Sequence, residues 1–332
     1  MLKIYLVIDV IGWVQHKRAK EFIKLNDQKK FKYKIINYST FISRIEKFIK
    51  EKCLIYIFSW RNLDNDMKLI PDQIKNKMIV GITSHYNVGG IKKLSKCMTK
   101  NMSFQQRKKK TYNLLNNFKY VSVNSKILQK FLSPKLKSKI FLLENGINHN
   151  FFKIPKKIQN SEIVIGWNGK NKNAKNYELL NKIKNFYSKN KNLKFKYLIA
   201  DRKVSFFNKI KQKLVKDNIV KNFYNKIDYY ICVSWHEGTP NPCLEALSCG
   251  IPVITTKVGN MPEVIKSSRN GFFVEPNLNS INKILSKIQN IKKYEYKEMS
   301  KYSRKKIIQE WTWEKKYKNI ENMFLKIIKI EF

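Results

Sequence analysis

The sequence is poor in the residues that build metal and disulfide sites. Its 332 residues include only four histidines and five cysteines. The cysteines form no Cys-x-x-Cys pair and are odd in number, and no histidine lies at metal-binding spacing from another ligand. Neither a disulfide framework nor a zinc site is therefore expected, and a reducing cytoplasm fits the chain. We expect no resident metal or cofactor.

Long hydrophobic runs are also missing. No segment approaches the roughly 20 apolar residues that span a bilayer. The apolar start is too short for a signal sequence and contains Asp9, so it is predicted to be a buried first strand. Hydrophobic residues nevertheless make up 43% of the chain, enough for cores in two domains of about 150 residues. We expect a folded protein that is soluble or rests on a surface.

Acidic residues are scarce. There are 24 aspartates and glutamates against 68 lysines and arginines, which gives a net charge of +44. Such a balance attracts nucleic acid, anionic lipid or phosphorylated substrates. Drift in an AT-rich genome explains the same excess, because the basic residues are mostly lysine, accompany abundant asparagine and isoleucine, and are spread along the chain. We attribute the charge mainly to drift, with a functional contribution.

Short apolar runs alternate with amphipathic stretches from end to end. Runs without polar alternation are typical of parallel strands covered by helices on both faces, and repeated strand–helix units indicate doubly wound sheets. In the first half, strands are predicted at Lys3–Asp9, Tyr33–Ile36, Leu54–Phe58, Met78–Thr83, Tyr120–Asn124 and Ile140–Leu143. In the second half, they are predicted at Ile163–Trp167, Phe195–Ala200, Tyr229–Trp235, Val253–Thr255 and Phe272–Val274.

A domain boundary is predicted near residues 145–157, where a turn and a linker-like stretch follow each other. We expect an α/β protein with a Rossmann-like domain over 1–150 and a second over 151–305. A C-terminal segment over 306–332, part of one helical pattern that starts at Met299, should pack back toward the first domain. The two domains should face each other across a cleft, with ligands outside the carboxyl ends of the strands.

The most informative segment begins where a buried strand ends at Trp235. A polar loop follows, and a helix is predicted from Pro242, with Asn241 as its N-cap and Gly250 as its C-cap. A strand–loop–helix junction of this kind directs free backbone N–H groups and the positive end of the helix dipole toward a ligand. It therefore suits a diphosphate.

Two glutamates of this segment, Glu237 and Glu245, lie eight positions apart. Taken alone, they also fit a loop residue and a charge near a helix start. The pattern E-x7-E within SWHEGTPNPCLEALSCGIPVITT, followed by GNMPEVI and NGFFV, resembles the nucleotide-sugar domain of the group 1 (family 4) GT-B glycosyltransferases. Weaker similarities lie at 120–132, 145–152 and 311–317, so the resemblance covers the second half well and the first half loosely.

The resemblance implies the GT-B fold and roles for residues of this segment. The second glutamate of the family pattern binds the nucleotide ribose, which gives that role to Glu245. The first lies near the donor sugar, so Glu237 is expected to orient the sugar and to stabilise charge at its anomeric carbon. The backbone amides of Gly238, Thr239 and Asn241 are expected to reach sugar hydroxyls.

A departing nucleoside diphosphate must be stabilised by a metal or by fixed cations and amides. The family uses a Gly-Arg pair followed by a lysine, after the first strand of its second domain. Gly169, Lys170 and Lys175 have the family spacing, which implies a phosphate clamp of Lys170 and Lys175. Lys170 replaces the arginine and offers a point charge instead of a planar fork, so Lys172 is an alternative. Solvated surface lysines are the other interpretation.

Features of the first half correspond to the family more weakly. Gly12 follows the first strand and resembles a glycine of the family's loop facing donor and acceptor, although Trp13 replaces the second glycine. His85 falls where the family often has a histidine lining the cleft, which makes it a catalytic candidate beside a purely structural role. Asp64 and Asp66 form the metal motif of the other fold, GT-A, but no strand leads into them, so a surface loop is predicted.

The resemblance as a whole implies a retaining glycosyltransferase that works without a metal. It would move a sugar from a UDP-, GDP- or ADP-sugar to a glycan or lipid-linked acceptor, in polysaccharide or glycolipid biosynthesis. A GT-B sugar-nucleotide epimerase or hydrolase would use the same donor site without an acceptor. A basic nucleic-acid-binding protein is less favoured, because the aromatic residues fall in strand-like runs and not among exposed lysines.

One basic segment is a candidate contact with a membrane. Residues 90–110 combine seven lysines and one arginine with apolar side chains, and such segments bind anionic lipid surfaces. The enzyme would then be cytoplasmic and peripheral on the inner face of the membrane. A solvated, lysine-rich face is an equally favoured interpretation.

Overall fold

The computed structural model describes residues 1–12, 14–26, 30–84, 103–154, 162–199 and 218–332. They form two compact units. Unit 1 comprises Met1–Gly146 together with Trp313–Phe332, and unit 2 comprises Ile147–Thr312. Each unit contains one parallel sheet.

Unit 1 has a six-stranded parallel sheet in the order β2-β1-β3-β4-β5-β6. Its strands are β1 Lys3–Ile8, β2 Lys32–Asn37, β3 Cys53–Ile57, β4 Met78–Ile82, β5 Tyr120–Val123 and β6 Lys139–Leu142. The order reverses between β1 and β3, which is where ligands bind in sheets of this kind. The helices of this unit that precede unit 2 are α1 Val14–Lys24, α2 Tyr38–Ser43, α3 Ile45–Lys50, α4 Leu63–Asp66, α5 Asp72–Lys75, α6 Phe104–Leu115 and α7 Lys126–Leu132.

Unit 2 has a five-stranded parallel sheet in the order β11-β10-β9-β7-β8. Its strands are β7 Ile163–Gly169, β8 Leu193–Ile199, β9 Tyr229–Cys232, β10 Val253–Thr255 and β11 Gly271–Phe273. Its helices are α8 Tyr177–Phe186, α9 Ile219–Asn222, α10 Asn241–Ser248, α11 Met261–Val264, α12 Leu278–Gln289 and α13 Lys293–Glu310. Here the order reverses between β7 and β9.

The last helix, α14 Trp313–Glu331, belongs to unit 1. Alternate residues of a strand point to opposite faces of a sheet, and β1 shows this in unit 1. Ile4 and Leu6 enter one apolar cluster and Tyr5 the other. The cluster of Ile4 and Leu6 is completed by apolar side chains of α1 and α14, among them Phe22 and Phe324.

Each of the eleven predicted strands is present. The largest difference is at β9, which ends at Cys232 instead of Trp235. The neighbouring strand β10 stops at Thr255, opposite Cys232, and the pairing with β7 on the other side ends at Tyr230. The chain after Cys232 is therefore a loop, and it carries Glu237.

The single helical pattern predicted from Met299 to Ile330 is wrong, because α13 ends at Glu310 and α14 begins at Trp313. The carbonyl of Trp311 accepts a hydrogen bond from the N–H of Ile147 at 2.9 Å. That backbone group therefore pairs with the linker and does not continue a helix. None of the helices among the described residues is long and apolar enough to cross a membrane.

Candidate functional site

Two loops leave the sheet of unit 2 at the point where its strand order reverses. One follows β7 and carries Lys170 and Lys175, and the other follows β9 and carries Glu237. The Trp235 N–H donates to the Ala174 carbonyl at 2.9 Å and joins the two loops. The carboxyl ends of these strands are therefore the expected ligand position in this sheet.

An ion pair connects these loops. Lys175 Nζ donates to Glu237 Oε1, and the Ser234 hydroxyl donates to the same oxygen at 2.9 Å. The side chains of Lys175 and Glu237 are only 28% and 11% exposed. Burial tends to lower the pKa of Lys175, but the Glu237 carboxylate outweighs it and raises that pKa above the usual 10.5. The site thus holds a permanent cation and a carboxylate in contact.

Hydrogen bonds from a buried threonine hold the loop that carries Glu237. The Thr256 hydroxyl donates to the Ser234 carbonyl at 2.7 Å, and the Thr256 N–H donates to the Cys232 carbonyl at 3.0 Å. Ser234 and Thr256 are both buried. These two bonds hold the backbone of the residue whose hydroxyl donates to Glu237.

Helix α10 follows this loop and begins one residue earlier than predicted. Pro240 occupies the N-cap position and Asn241 is the first helical residue, so the prediction of Asn241 as N-cap is wrong. The reason is local: the Cys243 N–H bonds to the Pro240 carbonyl at 2.9 Å. At the other end the C-cap is Cys249, so the prediction of Gly250 as C-cap is wrong by one residue; Gly250 follows the cap with φ +72°.

Glu245 lies on α10 and is half-buried. The Tyr224 hydroxyl donates to Glu245 Oε2 at 2.6 Å. Tyr224 is fully buried, and this burial together with the Glu245 carboxylate raises its pKa well above the usual value. The phenol therefore stays protonated and acts as a permanent donor to the carboxylate.

Gly259 allows a third loop, which follows β10, to approach the glutamate loop. It has φ +55°, and a Cβ at this position would lie 2.5 Å from the Gly238 carbonyl oxygen. Tyr224, Ser234, Thr256 and Gly259 were not among the predicted site residues. Only the glycine of GNMPEVI offered a signal in the sequence, whereas a tyrosine 21 positions before Glu245 offers none.

Comparison with known proteins decides the family of this unit. Residues 150–306 match the family model of the group 1 glycosyl transferases. This part of the chain belongs to that family. Among curated proteins, the glycosyltransferase domain is similar to spore coat protein SA of Bacillus subtilis, with 27% identity over 121 residues. That alignment covers 34% of the present chain and 31% of the relative, so the chain spans about a third of the relative's length.

Solved structures show the fold of the whole chain. Sucrose-phosphate synthase from Thermosynechococcus elongatus is similar with a TM-score of 0.71 and 14% identity, covering 100% of both chains. Anabaena HepE, solved in complex with UDP and glucose, is similar with a TM-score of 0.66 and 14% identity, covering 98% of this chain and 99% of that one. The chain has the GT-B fold of two Rossmann-like domains.

The remaining predicted donor residues of the glycosyltransferase domain lie in the same loops. Lys170 directly follows β7 and is half-buried, whereas Lys172 is exposed. Gly238 and Thr239 lie between Glu237 and the start of α10. Gly12 belongs to unit 1, where it follows β1 with φ +83° and donates its N–H to His16 Nδ1 at 2.8 Å. His85 lies outside the described residues.

The predicted surface loop at Asp64 and Asp66 is wrong. These residues form the one-turn helix α4, which the fully buried Leu63 anchors to the core of unit 1. Asp64 is paired with Lys110 at 3.1 Å. Among the residues that the structure describes, no group of three or more histidine, cysteine or acidic side chains could hold a metal ion.

Only part of the candidate membrane segment, residues 90–110, lies in the described part of the chain, and not all of its basic side chains are exposed there. Residues 90–102 lie outside the described part of the chain, and α6 holds the remainder. Arg107 is only 7% exposed, so its inclusion in the surface patch is wrong. It occupies the helix face that also buries Thr111 and Leu114. Lys109 and Lys110 remain exposed, and Lys108 is half-buried beside the Tyr112 ring.

Proposed function

We propose that the chain is a retaining, metal-independent glycosyltransferase that uses a nucleoside diphosphate sugar. The observation that carries the proposal is the cation–carboxylate pair Lys175–Glu237, at the carboxyl ends of β7 and β9 and directly before the helix that bears Glu245. A donor of this class presents a diphosphate, an anomeric carbon and a ribose. The site offers a matching group for each of them.

In the proposed reaction the bond between the anomeric carbon and the diphosphate oxygen breaks. A bond to an acceptor hydroxyl oxygen forms on the same face. The diphosphate leaves with the electron pair, and the proton of the acceptor hydroxyl passes to the departing diphosphate oxygen. Lys175, with Lys170 beside β7 and the N–H groups at the start of α10, stabilises the negative charge of the leaving group. Glu237 faces the positive charge that develops on the sugar ring, and Glu245 binds the ribose hydroxyls.

For the donor base and the acceptor we propose classes of molecule. Anabaena HepE was solved with UDP and glucose, which makes UDP-sugars the first donors to test, followed by GDP- and ADP-sugars. A glycan or a lipid-linked glycan is proposed as the acceptor. Lys108–Lys110 would contact the anionic inner face of the membrane in the cytoplasm.

A thermal-shift screen with UDP, GDP and ADP tests donor binding, because a ligand that binds only the native state raises its melting temperature. Transfer is then followed with the sugar of the nucleotide that binds, with and without glycan acceptors. No shift with any of the three nucleotides would contradict the proposal. Conversion of the donor without any acceptor would instead identify an epimerase or hydrolase.

The two glutamates are expected to respond differently. Glu245→Ala should weaken binding of the nucleoside diphosphate by about 1.5–3 kcal/mol, because the ribose loses a charged acceptor. Glu237→Ala should lower kcat more than donor affinity, because its interaction strengthens as charge develops in the transition state. Titration calorimetry and initial rates separate the effects.

Glu178→Ala is the matched control for both substitutions. Glu178 is exposed on α8 and pairs with Lys182 at the helix surface, 2.8 Å away. Its loss should leave donor affinity and turnover unchanged. Wild-type turnover in both Glu237→Ala and Glu245→Ala would remove the glutamates from the proposed site.

A further inference from the structure

The carboxylate of Glu245 is oriented by a residue far from it in the sequence. We propose that Tyr224 is a positioning residue for ribose recognition, which rests on the proposed function. Its hydroxyl donates to Glu245 Oε2 at 2.6 Å and lies 3.4 Å from the Pro242 carbonyl oxygen. One phenol therefore contacts both the carboxylate and the first turn of the helix that carries it.

The phenol itself is held rigidly. Tyr224 is fully buried, with the Phe152 ring edge-on at 5.9 Å and the Phe223 ring at 5.2 Å. A buried aromatic side chain packed in this way keeps one rotamer. Because Tyr224 stays protonated, it donates its hydrogen bond to Glu245 before any ligand arrives.

This contact has a consequence for the ligand. A half-buried glutamate on a helix has several rotamers, and fixing one of them costs conformational entropy at the moment of binding. Tyr224 fixes the carboxylate in advance and occupies only part of the acceptor capacity of Oε2. A carboxylate has about four acceptor positions. Under the proposed function, the two neighbouring hydroxyls of a ribose bind to the carboxylate that Tyr224 orients.

The test compares Tyr224→Phe with the wild type by titration calorimetry, using UDP and 2′,3′-dideoxy-UDP. If UDP is not the nucleotide that binds, the corresponding GDP or ADP pair is used. Affinity for the ribonucleotide should fall about tenfold in the variant, the effect of one hydrogen bond to a charged group. Affinity for the dideoxy nucleotide should be the same in both proteins, because it has no diol for Glu245 to bind.

Tyr296→Phe is the control for loss of a phenol in the same unit. The Tyr296 hydroxyl donates to the Asp228 carbonyl at 2.8 Å, just before β9 begins. Its removal should change neither nucleotide affinity. If Tyr224→Phe fails to fold, Tyr224→Met provides a second route, since a flexible apolar side chain fills the buried position without a hydroxyl. The same loss, confined to the ribonucleotide, is expected.

Three results would overturn the inference. An equal loss for both nucleotides in Tyr224→Phe would make Tyr224 a merely structural residue. Unchanged affinity for both would show that Glu245 needs no orientation by the phenol. A wild-type protein that binds none of the nucleoside diphosphates would refute the proposed function itself, and that result is read before any variant is compared.

Discussion

At the scale of single residues, Lys175 and Glu237 have two partners each in the proposed cycle. In the free protein they neutralise one another, and with donor bound they face a diphosphate and a sugar. The raised pKa of Lys175 means that its charge is favoured in the folded state. The stability that it contributes is fully present below the pKa of the unfolded chain and is lost only as pH rises through the folded-state pKa, above 10.5. The pair is therefore intact at neutral pH.

Removal of the cation tests the role of the pair. Lys175→Met should lower the stability of the protein by about 1–3 kcal/mol, because the nearly buried Glu237 carboxylate loses its partner. The double variant Lys175→Met/Glu237→Gln should recover stability, since no charge is left unpaired, but should not recover transfer. Melting curves and transfer rates distinguish the two effects.

The same reaction should continue in EDTA. If fixed cations stabilise the leaving group, chelation leaves the transfer rate within about twofold of its value, a difference well under 1 kcal/mol in barrier height. Loss of activity in EDTA with recovery on addition of Mn²⁺ or Mg²⁺ would contradict this and would direct attention to Asp64 and Asp66. The transfer rate of Asp64→Asn with added metal would then be measured next.

At the scale of elements, the sequence predicts where strands lie better than it predicts hydrogen bonds between residues far apart in the chain. Buried parallel strands are apolar on both faces, so β3 and β9 are visible as uninterrupted apolar runs. The break between α13 and α14 is not visible in the sequence, because it depends on a backbone hydrogen bond from the Ile147 N–H to the Trp311 carbonyl. A helical pattern does not show where a carbonyl finds a distant partner.

In the candidate site, too, the sequence predicts the residues of a motif but not the distant residues that contact them. Glu237 and Glu245 are neighbours along the chain, so their motif predicts them. Their partners are not, because Lys175 lies 62 positions from Glu237 and Tyr224 lies 21 positions from Glu245. The spacing after β7 indicated Lys175 only through the family resemblance. Tyr224 is a fully buried tyrosine, and apolar packing alone explains such a residue until its hydroxyl is located.

Gly259 gives a prediction at this scale, because it sets the distance between two loops. Gly259→Ala should destabilise the protein by about 1–3 kcal/mol, through a left-handed φ and the contact with the Gly238 carbonyl. The displaced loop should also weaken donor binding. Gly12→Ala is the control for backbone strain, since Gly12 has φ +83° with nothing within 4 Å of an added Cβ. Its melting temperature should fall less than that of Gly259→Ala.

At the scale of the whole molecule, the net charge of +44 has to be separated into a general and a local part. Replacement of Lys108, Lys109 and Lys110 by alanine should weaken binding to anionic vesicles. Each lysine near such a surface contributes about 1 kcal/mol, and the effect should be lost at high salt. Co-sedimentation with anionic and neutral vesicles measures it.

An equal number of lysines on α13 provides the control. Lys293, Lys297 and Lys305 are exposed in unit 2, and their replacement by alanine changes the net charge by the same amount. If both triple variants lose vesicle binding equally, or if the wild type binds DNA as tightly as vesicles, the charge acts as a general property of the molecule. A loss confined to the α6 variant supports a specific membrane face.

The return of α14 to unit 1 has a consequence for biosynthesis. Unit 2 is complete in the nascent chain once Thr312 has been translated, whereas unit 1 waits for its last helix. Until then Ile4, Leu6 and Phe22 lack the apolar cover that Phe324 and its neighbours provide. The ribosome therefore delivers the domain made second in a finished state and the domain made first in an unfinished one. Unit 1 therefore exposes core side chains for longer during translation than unit 2 does.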